Sequence, residues 1–404
     1  MRTPTLLIAG AGPVGVVAAL AAAQAGFSVQ VLDAASGIDA NPRAATTHSS
    51  TLEMIARIGL IDRFTAEGLV ARDFQFWDRP AHRMICTFDH SLLINDTPYP
   101  YVVQTEQHKL AQMGVDRLRA FGVDVRFGAA VTGLTQDGDG VTVDVDTGGA
   151  VEQMRADWMI GADGGRSTVR KQLGIEFEGF TWPERFVVLT VLDDFAALMG
   201  CCYRNYLAAP DEWANLFKVS GNDGLGRWRA VFPTGVDETD EAALADDAAQ
   251  VRLQRVHALD RPYQIVHRNI YRVHQRVAAQ FRVGRVLLAG DAAHVNNPIG
   301  GLGLNFGIHD AMHAVDALRA VAMDGSDDAL LDQYAERRRS LNVEFVQEQT
   351  VANKKRLEEK DPVARQASLD ALRATAADPV RARRFLLRSS LIDSVRKASG
   401  QQAA

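Results

Sequence analysis

Cysteine is scarce in this sequence, with three residues among 404. Cys201 and Cys202 are adjacent and Cys86 stands alone, so their spacing matches neither a zinc site nor a disulfide framework. This usage is typical of a reducing cytosol. We therefore expect a cytoplasmic protein with no bound metal.

A strong excess of charge of either sign is also absent. Lysine and arginine total 44 and aspartate and glutamate total 50, which gives a formal net charge of −6. This mildly acidic balance argues against a nucleic-acid partner. The length suffices for a large core and predicts about two or three domains.

An uninterrupted apolar span is missing too. The stretch from Thr5 to Val31 is strongly apolar, but Gly12 and Pro13 would break a membrane-spanning helix near its middle. We therefore interpret it as a buried βαβ unit rather than a signal peptide or a membrane span. Its predicted parts are a strand over 5–9, a helix over 13–25 closed by Gly26, and a parallel strand over 28–32.

The βαβ unit carries the pattern Gly10-x-Gly12-x-x-Gly15 where its first strand meets its helix. Gly10 permits a tight turn, Gly12 lets a pyrophosphate approach the backbone, and Gly15 lets the helix pack on the strand. The helix start offers N–H groups and a positive dipole to phosphates. Asp33, at the end of the second strand, can accept hydrogen bonds from a ribose. Together these features predict a dinucleotide site.

A second glycine-rich pattern lies far downstream, and we call its Gly290-Asp291 pair the Gly-Asp motif. Gly290 and Asp291 follow a predicted buried strand over 285–289, and the glycines of 300–303 precede a predicted helix over 304–321. The acid can bind a ribityl hydroxyl, and the helix start can donate to the flavin edge that becomes negative on reduction. A helix cap is the alternative for Asp291. Early and late parts of the sequence would then bind one cofactor together, which indicates FAD rather than NAD.

A third motif is Asp163-Gly-Gly-Arg166-Ser-Thr-Val-Arg170, after another predicted buried strand. Its acid, hydroxyls and arginines can bind both halves of a dinucleotide. The alternative, an N-capped helix with solvated arginines, stays open on the sequence alone. Arg43 follows the second strand of the βαβ unit and is most simply a solvated loop arginine.

The remaining chain alternates between helical and strand-like patterns. We predict a helix over 52–64 that Gly59 interrupts, an antiparallel meander over 123–158, a largely antiparallel aromatic-rich sheet over 186–232, an exposed helix or loop over 237–247, and helices after 326 with breaks at Pro362 and Pro379.

The predicted fold class is mixed α/β, with an antiparallel-sheet substrate domain inserted into a Rossmann-like FAD-binding domain and a helical C-terminus. The predicted domains are 1–71, 107–174 and 268–325 for FAD, 72–106 and 175–267 for the substrate, and 326–404 for the C-terminal helices. Function is expected at the seam between the first two domains.

The three motifs, in this order, resemble those of the single-component FAD-dependent aromatic hydroxylases, the flavoprotein monooxygenases similar to para-hydroxybenzoate hydroxylase and phenol hydroxylase. The likeness covers roughly residues 3–345, including segments 41–44 and 104–110. No catalytic side chain is assigned, but the resemblance places the backbone of Pro298, Gly301, Leu302 and Gly303 near the isoalloxazine ring. It implies FAD contacts at Gly10, Gly12, Pro13, Val14, Gly15, Asp33, Arg43, Gln104, Asp163, Gly290, Asp291, Pro298, Gly303, Leu304 and Asn305.

Some positions depart from the family pattern. The family usually has Glu where this chain has Asp33, and it often has Gln and Met where this chain has Leu302 and Leu304. A thioredoxin-like C-terminal domain, present in relatives of phenol hydroxylase, is not expected here because the chain is too short for one.

The resemblance implies that NAD(P)H reduces FAD, that O2 adds to flavin C4a, and that the hydroperoxide hydroxylates a phenolic or hydroxylated N-heteroaromatic ring. NAD(P)H is expected to bind transiently, with Arg166 and Arg170 as candidate contacts. The candidate substrate contacts on the predicted sheet are Arg185, Tyr203, Tyr206 and Trp213, although a core or surface role is the simpler interpretation of each.

Other functions compete with this one. A flavin-dependent halogenase would carry Trp-x-Trp-x-Ile-Pro, which segment 180–185 does not match. An FAD-dependent reductase or oxidase without oxygen transfer, and a non-catalytic flavin-binding redox sensor, remain as alternatives. The basic amphipathic segment 380–397 can touch a membrane surface, but we expect it to pack on its own chain or on a second subunit of a homodimer.

Overall fold

The computed structural model describes residues 2–41 and 45–400. The strands are, in chain order, β1 (Thr5–Ala9), β2 (Ser28–Asp33), β3 (Thr46–Thr47), β4 (Leu69–Ala71), β5 (Asp73–Asp78), β6 (Arg83–Asp89), β7 (Val102–Gln104), β8 (Val125–Phe127), β9 (Ala130–Gln136), β10 (Val141–Asp146), β11 (Val151–Ala156), β12 (Trp158–Gly161), β13 (Phe177–Val191), β14 (Arg204–Ala208), β15 (Ala214–Val219), β16 (Arg227–Pro233), β17 (Ile265–Ala278), β18 (Arg282–Val283), β19 (Val286–Leu288) and β20 (His294–Val295).

The α-helices are, in chain order, α1 (Pro13–Ala25), α2 (Ser49–Arg57), α3 (Ile61–Glu67), α4 (Gln107–Arg119), α5 (Thr168–Gln172), α6 (Phe195–Met199), α7 (Asp240–Leu244), α8 (Asp246–Gln254), α9 (Leu302–Ala322), α10 (Ala329–Asn342), α11 (Glu348–Glu358), α12 (Pro362–Ala377), α13 (Pro379–Ser389) and α14 (Ile392–Ala398). Short 3₁₀ helices cover His90–Leu93 and Gly290–Ala292, and a π-helical turn covers Val343–Gln347.

A six-stranded sheet in the order β18-β19-β12-β1-β2-β8 carries the first glycine motif. β1 lies at its centre and pairs in parallel with β2 and β12, and β19 continues the parallel pairing on β12. Leu6, Leu7 and Ile8 of β1 are at most 1% exposed, as expected for a central strand covered on both faces. The predicted βαβ unit and the predicted parallel strand near 285–289 are therefore confirmed.

Helix α1 lies between the sheet and two other helices, α4 and α9. A β-carbon at Gly114 of α4 would lie 2.8 Å from Val16, so the glycine permits the close approach of α4 to α1. α1 ends at Gly26, whose φ of 96° is left-handed, as the sequence predicted. Gly59, with φ of 72°, separates α2 from α3 and confirms the predicted interruption.

The predicted meander is confirmed only in part. β9, β10 and β11 form an antiparallel sheet, and Val141, Val143 and Val145 are buried on one face of it. The expectation that the meander begins at 123 is wrong, because β8 pairs in parallel with β2 and extends the six-stranded sheet. Val125 is the residue opposite Val31 in that pairing and is buried, so a short apolar run sufficed for a parallel edge strand.

An eight-stranded sheet in the order β20-β17-β13-β16-β15-β14-β5-β6 forms the second layer. All its pairings are antiparallel except β14 with β5, which confirms the largely antiparallel sheet predicted over 186–232. β5 and β6 join it from the early part of the chain. β17 runs through the predicted domain limit at 268, and the domain limits themselves stay a prediction.

Helices follow to the end of the described chain, and Pro362 and Pro379 occupy the first turns of α12 and α13 as the predicted breaks required.

The basic segment 380–397 packs on its own chain. Phe385 stacks on Phe88 at 4.4 Å between ring centroids, and Leu386 beside it is fully buried. Asp96 forms ion pairs with two arginines of this segment.

Candidate active site

The three sequence motifs meet at the carboxyl ends of β1, β12 and β19. Gly10 has a φ of 103°, and a β-carbon there would lie 2.3 Å from the carbonyl oxygen of Ala162, directly before Asp163. A β-carbon at Gly15 would lie 1.9 Å from the oxygen of Gly10. A β-carbon at Gly12 would meet no atom within 4 Å, so this glycine faces open space. Gly10 and Gly15 therefore allow close packing of the backbone, whereas Gly12 leaves room for a ligand.

The downstream motif packs directly on the first one. Gly290 has a φ of 62°, and a β-carbon there would lie 2.9 Å from Val14 Cγ2 at the start of α1. A β-carbon at Gly307 of α9 would lie 2.9 Å from the α-carbon of Gly290. Glycine at these positions thus brings the beginnings of α1 and α9 to the same side of the six-stranded sheet.

Both helices begin without a side-chain cap. α1 follows Gly12, and α9 follows Gly301, whose φ of 70° is left-handed. The first N–H groups of each helix have no partner within the helix, and they can bind an anion. One start suits a pyrophosphate and the other suits the N1–C2=O edge of a flavin. The open face at Gly12 and these two uncapped starts fit FAD.

Asp33 lies at the predicted position and holds the glycine loop. Its carboxylate accepts hydrogen bonds from the backbone nitrogens of Ala11 at 2.6 Å and Ala35 at 2.8 Å. A carboxylate can accept further bonds, so a ribose contact remains open to it. Gln104 is fully buried, accepts from Thr46 Oγ1 at 2.5 Å and donates to the carbonyl of Tyr203 at 3.3 Å. Arg43 lies outside the described residues.

Asp163 caps the start of α5. It accepts from Ser167 Oγ at 2.5 Å and from the backbone nitrogen of Thr168 at 2.7 Å. Arg170 is 4% exposed and donates to the carbonyls of Ala292 at 2.8 Å and Gly165 at 2.9 Å, so it ties the third motif to the Gly-Asp motif. Arg166, by contrast, is exposed. The N-capped helix is thus observed, but Arg170 is not a solvated arginine.

The segment before and inside α9 differs in exposure from residue to residue. Asp291 and Pro298 are exposed, Gly303 and Leu304 are partly buried, and Leu302 is buried.

Asn305 is fully buried and joins α9 to β3. Its Oδ1 accepts from the His48 nitrogen at 2.8 Å, and its Nδ2 donates to the carbonyl oxygens of Thr46 and Gly301. The contacts to Thr46 and Gly301 measure 2.8 Å and 2.5 Å. Asn305 therefore orders the start of α9 where the flavin edge is expected.

A buried charged cluster that the sequence reasoning missed lies behind the Gly-Asp motif. Asp310 accepts from His294 Nε2 at 2.7 Å, from Arg338 Nε at 2.7 Å and from the Gly290 nitrogen at 3.2 Å. Burial alone would raise the pKa of Asp310, but Arg338 and His294 bring it below its ordinary value. His294 and Asp310 lie close in sequence to Gly290 and to the glycines of 300–303, whereas Arg338 comes from α10 and carries no local signal.

A partly open cavity lies beside Gly300, directly before α9. Its aromatic walls come from β5, β14 and α13, and its polar groups come from β14 and α11. The aromatic residues are Phe74, Phe76, Tyr206 and Phe385. The polar residues include Arg204, Gln349, Asn353 and Arg356.

Tyr206 alone among the four candidate substrate residues lines this cavity. Arg185 pairs with Asp240, and Trp213 is 1% exposed and packs edge-on against Phe186 at 4.9 Å. The ring of Tyr203 lies under Lys218 Nζ at 5.2 Å. In this structure Arg185, Tyr203 and Trp213 therefore have the core or surface positions that were the simpler interpretation.

Arg204, which the sequence reasoning also missed, is 3% exposed and stands two residues before Tyr206. It donates to the Tyr206 hydroxyl from Nε at 3.0 Å and from Nη2 at 2.7 Å, and to the Gly300 carbonyl at 3.2 Å. His48 Nε2 lies 2.9 Å from the same carbonyl, so it is the protonated ring nitrogen. Burial, reinforced by Arg204, lowers the pKa of His48 well below its ordinary value.

A family model described as FAD binding domain matches residues 2–349. Para-nitrophenol 4-monooxygenase of Pseudomonas sp. strain WBC-3 is 35% identical over 390 residues, which cover 95% of this chain and 94% of that protein. The chain belongs to the single-component FAD-dependent aromatic hydroxylases. The hydroxylase is also 33% identical to 6-hydroxy-3-succinoylpyridine 3-monooxygenase HspB of Pseudomonas putida, over 88% of this chain and 90% of that one.

Structural comparison agrees with the sequence comparison. The crystal structure of p-nitrophenol 4-monooxygenase PnpA from Pseudomonas putida DLL-E4 matches this hydroxylase with a TM-score of 0.90 and 34% identity, covering 96% of this chain and 99% of that one. The predicted mixed α/β fold, the FAD cofactor and the aromatic monooxygenase activity are confirmed, in preference to the reductase, oxidase and sensor alternatives. Within the part of the hydroxylase that the structure describes, no helix has both the length and the apolar character needed to cross a membrane.

Proposed function

We propose that this hydroxylase oxidises a single-ring phenol or hydroxylated N-heteroaromatic compound, with NAD(P)H and O2 as co-substrates. The observation that carries the proposal is the cavity beside Gly300, whose walls are largely aromatic. The names of two relatives also specify single-ring substrates, p-nitrophenol and 6-hydroxy-3-succinoylpyridine.

The protein would hold FAD at two points. The backbone at Gly12 and the start of α1 would bind the pyrophosphate, with Asp33 on the ribose. The N–H groups at the start of α9 would face the flavin N1–C2=O edge, and the ring system would then lie next to the cavity. FAD supplies the redox chemistry that joins NAD(P)H oxidation to oxygen transfer.

The remaining role of the protein is to orient the substrate and to exclude water. Phe74, Phe76 and Phe385 line the cavity and would offer apolar faces to the substrate ring. Tyr206 and Arg204 present polar groups to the same space. A dry and oriented site favours transfer of oxygen to the ring over release of peroxide.

The proposal also covers the NAD(P)H contact, the cellular location and the assembly of the hydroxylase. Arg166 is exposed beside the third motif and is our candidate for transient contact with NAD(P)H, whereas the buried Arg170 would act by holding the motif. A cytoplasmic location is supported by the free thiols of Cys86, Cys201 and Cys202. Formation of a homodimer stays a prediction.

The test is NAD(P)H consumption by the FAD-loaded protein across phenols, hydroxybenzoates and hydroxypyridines, with peroxide and hydroxylated product measured in the same samples. We expect at least one compound to accelerate NAD(P)H oxidation and to yield product with little peroxide. Acceleration that yields only peroxide with every compound would contradict oxygen transfer. Sluggish oxidation that no compound accelerates would contradict the substrate class.

A further inference from the structure

Residues 296–299, which we call the flavin loop, lie between β20 and the start of α9. The loop contains Pro298, which is exposed and whose backbone the family resemblance places near the isoalloxazine ring. Asn297, beside it, is fully buried, and its Oδ1 accepts from the backbone nitrogen of Ile299 at 3.1 Å. Both nitrogens of Asn297 donate to a partner outside the loop.

That partner is Gln275 of β17, which is 4% exposed. Its Oε1 accepts from the backbone nitrogen of Asn297 at 3.1 Å and from Asn297 Nδ2 at 3.3 Å. Its Nε2 donates to Gln347 Oε1 at 2.6 Å and to Thr350 Oγ1 at 3.0 Å. One side-chain amide therefore joins a strand of the eight-stranded sheet, the flavin loop and the C-terminal helices.

Gln275 occupies an inward position on its strand. Val273 and Val277, on the same face of β17, are buried, whereas His274 between them is exposed. Burial of an amide is unfavourable unless its polar atoms are hydrogen-bonded. Removal of Gln275 would also leave its partners buried without their bonds. The polar residue at this position is therefore explained by the partners that it holds.

Two irregular backbone segments meet at this amide. A π-helical turn over Val343–Gln347 separates α10 from α11, and its last residue bonds to the amide. In β13, residues 182–184 bulge out of the pairing with β17, and Trp182 Nε1 lies 3.4 Å from Gln275 Oε1. Such π turns and β-bulges frequently occur at functional sites. Here both are directed at the residue that holds the flavin loop.

We propose that Gln275 is a positioning residue, which fixes the flavin loop and thereby the place of Pro298 against the flavin ring. This inference rests on the proposed function for the location of that ring. Gln275 itself touches neither FAD nor substrate. Oxygen transfer to the substrate requires closely defined distances and orientations. A displaced loop would therefore slow hydroxylation and favour peroxide, while the pyrophosphate site at the start of α1 stays intact.

The test compares Gln275→Met with Gln250→Met. Methionine keeps the approximate shape of the side chain and removes the amide. Gln250 of α8 is the matched control, because both ends of its amide bond to the backbone of Tyr263, at 2.8 Å and 3.0 Å. Both variants should therefore lose stability in urea, and a purely structural role of Gln275 would produce nothing more.

The deciding measurements are made on the bound flavin without substrate. Its visible absorption, its circular dichroism and its reduction potential should change in Gln275→Met and stay native in Gln250→Met. With a hydroxylated substrate, kcat in Gln275→Met should fall at least about tenfold, with more peroxide and a nearly native KM. FAD affinity should change much less than kcat.

Asn297→Ala tests the route from Gln275 to the flavin. It should reproduce the flavin changes of Gln275→Met, and the double variant should show no larger change than either single variant. If Gln275→Met does not fold, Asn297→Ala makes the same test from the side of the loop.

Two outcomes would overturn the proposal. One is a native flavin spectrum and potential in Gln275→Met, or in Asn297→Ala where only that variant folds. The other is additive effects of the two substitutions, because Gln275 would then act by a route other than the loop. The measurements on the flavin need no substrate, so they decide the inference even if no compound of the panel is hydroxylated.

Discussion

Arg338 Nε donates a hydrogen bond of 2.7 Å to Asp310 Oδ1, and both side chains are fully buried. Through its other oxygen, Asp310 accepts from the Gly290 nitrogen in the Gly-Asp motif. The ion pair between α9 and α10 thus supports the loop that is expected to hold the ribityl end of FAD.

Replacing Asp310 should therefore lower both the stability of the protein and its affinity for FAD. Asp310→Asn leaves Arg338 buried without a countercharge, and we expect a loss of about 3–5 kcal/mol in the free energy of unfolding. FAD should also bind more weakly because the support of Gly290 is lost. Urea titration and FAD fluorescence measure the two effects. Asp316→Asn, on the same helix, is the control because its pair with Arg57 is about half-exposed, and it should cost less than about 1 kcal/mol. Equal losses in the two variants would refute the role of the buried pair.

The buried histidines make stability depend on pH. Burial lowers the pKa of His90 and of His313 to about 4. In the unfolded chain the pKa of each imidazole is about 6.5. Between about pH 4 and about pH 6.5 the unfolded state therefore binds more protons than the folded state. Stability should fall as pH drops through this window, by up to about 1.4 kcal/mol per pH unit for each histidine.

Urea titrations at about pH 7.5 and about pH 5 would measure this loss, and His313→Gln should lose less stability between them than the native protein. The depressed pKa of Asp310 adds a further loss at lower pH, when its carboxylate is protonated. A free energy of unfolding that does not change between the two pH values would contradict the neutral state of the histidines.

Two glycines of the first motif should respond differently to alanine. Gly12→Ala places its methyl group in open space, so the apoprotein should keep its stability while FAD affinity falls, because the pyrophosphate is expected there. Gly15→Ala should destabilise the protein itself, since its methyl would lie 1.9 Å from the Gly10 oxygen. Apoprotein unfolding and FAD binding are measured for both. Native FAD affinity in Gly12→Ala would place the pyrophosphate elsewhere.

The sequence predicted those parts of the molecule that local patterns encode. The βαβ unit, its glycines and Asp33 lie within one short stretch, and the strand–turn–helix geometry constrains their positions. Val125 shows the limit of this reasoning. A short apolar strand does not by itself state whether its partner will be parallel or antiparallel, and β8 joined β2 instead of the meander.

The substrate cavity was harder to predict because tertiary packing builds it. Arg204 comes from β14, Arg356 from α11 and Phe385 from α13, and no sequence spacing relates these elements. Alternation along a strand shows that Arg204 and Tyr206 share one face. It does not show that this face lines a cavity, or that Trp213 packs into the core beside Phe186. An arginine on the inward face of a strand was the one available signal.

The most direct test of the central claim, oxygen transfer to an aromatic ring, is turnover under isotopically labelled O2. The FAD-loaded hydroxylase is supplied with NAD(P)H and the best phenol from the panel, and the product is analysed by mass spectrometry. We predict one labelled oxygen atom for each hydroxylated ring and little peroxide. Recovery of all consumed reducing equivalents as peroxide, or a product whose new oxygen comes from water, would contradict the account.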